Sequence, residues 1–272
     1  AILATGLAAI MGRPVELTNE AVIGAESSDL PAQLSKALAR VDQPAIAVIL
    51  IGANDVTHRI DRSVSVQHLQ RTVRYLRTLD VPVVVGTCPD LGTVEPVPFP
   101  LNKLLRQWSR ELAAAQTVAA VEAGARTVSM GDLLGPEFAA SPAVMFSQDR
   151  FHPSAKGYKR AAQVLVPSLL DALGLPVPES DAQHAAGAVV ERGRAHTLEQ
   201  AAAQAASHEG TEVRPDQDAA PGRLRALVQR RRRDAGDDAD AAAPPQHAPH
   251  PAPAPDAAPR DEADVSQITA HP

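Results

Sequence analysis

Asp149 and His152 stand three residues apart in FSQDRFHPSAKGY, residues 146–158. A carboxylate and an imidazole at that spacing in a loop can share one hydrogen bond. The carboxylate accepts from one ring nitrogen, which fixes the tautomer and leaves the other nitrogen free as a general base. Pro153 and Ser154 then lead into a segment that reads as a helix. The bland alternative is a solvated histidine in a surface turn. Two more groups could stabilise developing negative charge. Gly24, in IGAES (residues 23–27), can present its backbone N–H with no side chain in the way, and Asn54, in IGANDVTH (residues 51–58), offers a side-chain amide. Donors that converge on one point hold an oxyanion, each worth about 10²–10³ in rate. Turn formation by the glycine and loop capping by Asn54-Asp55 are the competing structural roles.

These residues need a scaffold, and the hydrophobic pattern describes one. AIAVILIG (residues 45–52) and VPVVVG (residues 81–86) are continuous apolar runs of strand length, as expected for strands buried on both faces. PVELTNEAVIG (residues 14–24) reads as a strand running into a turn, and RTVSM (residues 126–130) as a short last strand. Helical stripes lie between them. Residues 1–11 form one that stops at Gly12. Leu30, Leu34, Leu38 and Val41 mark another, and Leu69, Val73 and Leu76 the next. Leu101, Leu104, Leu105, Trp108, Leu112 and Ala115 make a long one, which gives Trp108 a core-packing role by default. Tyr158, Ala162, Leu165 and Leu169 mark the final stripe, with Pro167 inside it. Alternating strands and helices predict a parallel sheet covered on both faces. In such sheets ligands gather beyond the carboxyl ends of the strands, where the three polar clusters fall.

The composition divides the 272-residue chain. All seven aromatic residues lie between Tyr75 and Tyr158, whereas residues 176–272 hold 12 of the 24 prolines and a single isoleucine, Ile268. Large apolar side chains are too few there to offset backbone ordering entropy, which predicts one α/β domain over residues 1–175 and a low-complexity, mostly disordered tail over 176–272. The formal net charge of −6 gives no general pull toward nucleic acid. Within the tail, four arginines at 230–233 could touch an anionic surface, but Asp234, Asp237, Asp238 and Asp240 oppose them. The Ala/Pro stretch 241–259 reads as linker-like, and His247, His250 and His271 lack ligand spacing, so no metal site is expected. No apolar run reaches the ~18 residues of a membrane span. The one cysteine, Cys88, follows a run of valines and reads as a small apolar filler.

GAND (residues 52–55) and DRFH (residues 149–152) resemble the third and fifth blocks of the SGNH (GDSL-type) hydrolases, and Gly24 suits the second. The resemblance covers most of residues 1–175 and none of the tail. It implies a flavodoxin-like three-layer α/β/α fold and an ester or acyl hydrolase that needs no cofactor. It also implies His152 as base with Asp149 its partner, Gly24 and Asn54 as oxyanion donors, and Asp55 holding the Asn54 loop in shape. The implied partner is a small-molecule or lipid-like ester. Loops 88–100 and 132–148 would wall its pocket, and their Pro, Gly, Leu and Val content suggests a modestly apolar acyl group. Many such hydrolases are exported, which leaves the location of this one open.

One departure stands out. The family's nucleophile is the serine of a Gly-Asp-Ser motif after the first strand, and no Gly-Asp-Ser occurs in this sequence; GDLL, residues 131–134, has leucine in the serine's place. Ser27 and Ser28 lie near Gly24 but lack a Gly-x-Ser-x-Gly elbow, and capping the helix near Asp29 suits them better. His58 and Thr57 read as loop residues. The expectation is that the sequence begins inside the family's first helix, with the central first strand and its nucleophile absent. The chain alone would then be inactive and poorly folded. A non-catalytic binding module of the same fold is the alternative. A nucleotide-binding role is disfavoured because no Gly-rich phosphate loop opens a helix.

Overall fold

Two strands form where the continuous apolar runs predict them, and a third in RTVSM. β1 (Ala47–Leu50), β2 (Val83–Gly86) and β3 (Arg126–Val128) are parallel neighbours, with Ala47 opposite Val83 and Val84 opposite Arg126. This computed structural model describes residues 1–94, 97–131, 138, 140–177, 196–215 and 225–230. The α-helices among the described residues include α1 (Ile2–Met11), α2 (Leu30–Leu38), α3 (Ala53–Thr57), α4 (Arg62–Thr78), α5 (Leu101–Glu122), α6 (Pro142–Met145), α7 (Ala155–Ala172) and α8 (Leu198–Ala205).

The pleat distributes the valines of β2 between two cores. Val84 points with Val128 into a cluster built from Leu7 of α1, Leu112 of α5, Met145 of α6, and Leu165 and Leu169 of α7. Val83 and Val85 point the other way with Ile49, against Leu30 of α2, Leu69, Val73 and Leu76 of α4, and Ala120 of α5. Helices on both faces of a sheet make the expected three-layer α/β/α arrangement. Each fully buried leucine or valine contributes roughly 1.5–3 kcal/mol to holding the layers together.

Three sequence readings need correction. Residues 14–23 form no strand. The segment carries β-branched residues, but Leu17, Val22 and Ile23 are exposed, and its local hydrogen bonds are Ala21 N–H to Asn19 Oδ1 at 3.2 Å and a turn closed by Ala25 N–H on the Val22 carbonyl. A strand requires a paired neighbour, and propensity alone does not supply one. Second, β1 is an edge strand of the described sheet rather than one buried on both faces: Val48 and Leu50 are 38% and 52% exposed. Third, the sheet is mixed. Its order is β1-β2-β3-β5-β6-β4, with β4 (His196–Thr197), β5 (Thr211–Pro215) and β6 (Arg225–Arg230) joined antiparallel.

Those last strands, with α8, lie within residues 176–272. Large apolar residues are indeed scarce there, but alanines suffice at close range. Leu198, Ala201 and Ala205 of α8 pack with Val213 of β5 and Val121 of α5. Arg126 bridges Asp171 and Glu212, the latter at 3.2 Å, and Ser168 donates to Glu212 at 2.8 Å, which fastens β5 to α7. The basic run at 231–233, the Ala/Pro stretch, and His247, His250 and His271 lie outside the described residues. No described helix is long and apolar enough to cross a membrane.

Candidate active site

The Asp149–His152 loop is a short hairpin. Phe146 and Pro153 form an antiparallel bridge, and Ser147 N–H donates to the His152 carbonyl at 2.8 Å. Arg150, at φ 55°, takes the left-handed corner and donates its N–H to Ser147. Asp149 is the hub. Its Oδ1 accepts from Ser147 Oγ at 2.6 Å, Phe151 N–H at 2.9 Å and His152 N–H at 3.0 Å. Its Oδ2 meets His152 Nδ1 at 2.6 Å. The Ser147 hydroxyl first, then the His152 ring and the two backbone donors, hold the Asp149 carboxyl well below the usual carboxylate range. An ionised Asp149 makes Nδ1 the protonated ring nitrogen. Nε2 makes no hydrogen bond among the described residues, and the ring is half exposed.

The hairpin is fixed by the start of α7. Ser154 caps that helix by accepting from Gly157 N–H at 3.2 Å, and donates its hydroxyl to the Val144 carbonyl at 2.5 Å. Its own N–H donates to the Met145 carbonyl at 2.7 Å. A Cβ on Gly157 would stand 2.5 Å from that carbonyl and 2.8 Å from Pro153 Cβ, so only glycine lets the helix lie this close.

Gly24 and Asn54 are also brought together. Gly24 sits at φ 81°, in the turn before Ala25, and its N–H has no acceptor among the described residues. Asn54, on α3 just beyond the carboxyl end of β1, donates one amide hydrogen to the Ala25 carbonyl at 2.9 Å. The second hydrogen remains for a ligand. Asp55, next to it and 1% exposed, accepts Ser27 N–H on both oxygens at 3.2 and 3.1 Å. It thus ties the Gly24 turn to α3, the shape-holding role expected of it. Glu26 adds a second tie, meeting His58 Nδ1 at 2.7 Å. The described hydrogen bonds join Asp149 to His152 and the Gly24 turn to Asn54, and none runs between the two pairs.

Other candidates take structural places. Ser27 is fully buried, and the turn at Ser27–Asp29 is capped by a Glu26–Asp29 box rather than by Ser27 or Ser28. Cys88 is buried, and that burial, with the charges of Asp55 and Asp90, pushes its thiol far above the ordinary range. No group of three or more His, Cys, Asp or Glu able to hold a metal occurs among the described residues. Two residues escaped the sequence reading. Ser147 needed only its Ser-x-Asp spacing to be seen as an Asp149 donor. Gln116, fully buried, bridges the ends of two strands by donating to the Ile51 carbonyl at 3.1 Å and accepting Cys88 N–H at 2.8 Å. No short-range signal marks it.

An imidazole held by a buttressed carboxylate, and a turn with two spare donors, are arrangements that acyl-transfer enzymes use. The profile of the GDSL-like lipase/acylhydrolase family matches residues 1–160, and the chain belongs to that family. It is 44% identical over 172 residues to the GDSL-like esterase Rv1075c of Mycobacterium tuberculosis, an alignment covering 63% of this chain and 55% of that protein. The chain therefore spans about half the length of this relative. Among solved structures it is similar to Axe2, an acetylxylan esterase from Geobacillus stearothermophilus, at 18% identity and a TM-score of 0.45, over 64% of this chain and 80% of that one. The acetyl xylan esterase AlAXEase gives 18% and 0.45, over 59% and 85%. Likenesses this weak say nothing about substrate.

Proposed function

We propose that this chain supplies the base and the oxyanion donors of a serine-type acyl-ester hydrolase. The observation that carries the reading is the 2.6 Å contact between Asp149 Oδ2 and His152 Nδ1, which leaves Nε2 free. In the proposed reaction Nε2 takes the proton of a nucleophilic hydroxyl as its oxygen adds to the ester carbonyl. Asp149 holds the ring and stabilises the imidazolium without taking the proton. The carbonyl oxygen, now negative, is received by Gly24 N–H and the spare hydrogen of Asn54. As the tetrahedral adduct collapses, the imidazolium returns its proton to the departing alkoxide, and water repeats the cycle on the acyl-enzyme.

The hydroxyl is the part that the sequence does not contain in the family's Gly-Asp-Ser form. Triad members act as a unit, so the 272-residue chain alone is expected to retain only a small residual from binding and oxyanion stabilisation. The same observation favours a second reading, a binding module without turnover. The two separate in an assay of p-nitrophenyl acetate and butyrate. Hydrolysis should be near background for the chain alone and should appear when a strand ending in Gly-Asp-Ser is joined ahead of Ala1. A correctly folded extended chain that stays silent would favour the binding module. The substrate is proposed to be a small or lipid-like ester with a modestly apolar acyl group, and faster cleavage of butyrate than acetate would agree with that.

A further inference from the structure

The turn that carries Asn54 ends, as α4 does at Asp80, with a residue other than glycine in the left-handed region. α3 closes with paired bonds, Ile60 N–H to the Asp55 carbonyl at 2.8 Å and Arg59 N–H to the Val56 carbonyl at 3.2 Å. This pattern places one residue in the left-handed region, a position that glycine normally fills. Here it is Arg59, at φ 58°. A long cationic side chain therefore occupies a place where glycine would cost less.

The strained residue overhangs a cleft of about 400 Å³. Val56, Ile60, Leu112 and Trp108 give it apolar wall, and none of Gly24, Asn54, Asp149 and His152 is among the lining residues. The Arg59 guanidinium carbon stands 6.0 Å from the centre of the Trp108 ring. Trp108 is half-buried: it packs on the core as its helical stripe predicts, yet it also lines this cleft. Three other charges line the cleft. Arg62 is paired with Glu111 at 2.7 Å, Glu111 also accepts from Gln107 at 2.9 Å, and Asp55 is bound to Ser27 N–H. Arg59 has no carboxylate partner among the described residues.

We propose that this cleft binds an oxyanion head group, carboxylate or phosphate, attached to a short apolar chain. The apolar chain lies against Val56, Ile60, Leu112 and Trp108, and the head group takes the guanidinium of Arg59. Because Asn54 lies on the same α3 turn, the natural occupant is one arm of the ester, making Arg59 and Trp108 specificity-determining residues for acidic esters. That last step rests on the hydrolase reading, whereas the binding itself does not.

Trp108 is the single tryptophan of the chain, so its fluorescence reports on the cleft without turnover. The 272-residue chain is titrated with hexanoate, hexyl phosphate and hexan-1-ol. The expected result is a saturable change with one or both anions, at least about tenfold weaker for the alcohol, as loss of a charge-assisted contact implies. Comparing hexanoate with hexyl phosphate decides which head group is preferred. Arg59→Gly should abolish the anion preference while unfolding at or above the parent temperature, since glycine suits that backbone. Arg59→Lys should keep part of the preference. Equal response to hexanoate and hexan-1-ol, no response to any probe, or an unchanged preference in Arg59→Gly would each overturn the proposal. None of those results touches the hydrolase reading, which fails instead if the Gly-Asp-Ser-extended chain folds, binds and does not hydrolyse.

Discussion

Gly157→Ala sets two physical effects of opposite sign against each other. In an isolated helix the exchange favours folding by about 0.8–1.0 kcal/mol. In this protein the new methyl would stand 2.5 Å from the Met145 carbonyl oxygen, about 0.9 Å inside the 3.4 Å at which ordinary contact begins, and 2.8 Å from Pro153 Cβ. Neither neighbour is the end of a flexible side chain, so α7 and the hairpin must move apart. Overpacking of this kind costs about 1–3 kcal/mol and should outweigh the propensity gain. The movement would stretch the Ser154 N–H bond to Met145, the contact that sets the hairpin bearing Asp149 and His152. We predict a net loss of up to about 2 kcal/mol in urea unfolding, with changed amide shifts at residues 146–153. Gly6→Ala is the control. Gly6 lies inside α1 with nothing within 4 Å of a built Cβ, and should gain about 0.5–1 kcal/mol. If Gly157→Ala were stabilised to the same degree as Gly6→Ala, the close approach that fixes the hairpin would be wrong.

The Asp149 carboxyl should titrate below the ~3.9 of an unpaired aspartate, and Ser147→Ala should move it upward, both readable by carboxyl carbon NMR. Because its folded pKa is depressed, the stabilisation it gives is present above the unfolded value and falls away as pH drops toward the folded one. An Asp149 that titrates normally would remove the buttress from the account. Cys88 should resist iodoacetamide at neutral pH in the native chain and react once the chain is unfolded in urea; rapid native labelling would contradict its burial. Asp55→Ala should lose about 1–3 kcal/mol, because it leaves Ser27 N–H buried without an acceptor, and Asp55→Asn should lose less. Equal losses in urea unfolding would mean that the bond to Ser27 is not what matters.

The parallel core was legible because 45–52 and 81–86 are unbroken apolar runs of strand length, although only the second is a strand buried throughout. The Asp149–His152 contact was legible because all its partners lie within a few residues of one another. What escaped notice depends on partners distant in sequence. The open edge of β1, and the failure of 14–23 to pair, are facts about neighbours. The antiparallel addition at 196–230 rests on alanines whose value comes from close approach to Val121 and Val213, which a count of large apolar residues misses. The Arg59–Trp108 cleft joins residues about fifty positions apart, and Trp108 alone matched a plain core stripe.

The most direct test of the catalytic assignment is one rate. In the chain extended by a Gly-Asp-Ser strand, His152→Ala should remove at least about 10³ from kcat for p-nitrophenyl acetate while leaving the circular dichroism spectrum unchanged. Full hydrolysis by that variant would contradict the role given to His152, and with it the site.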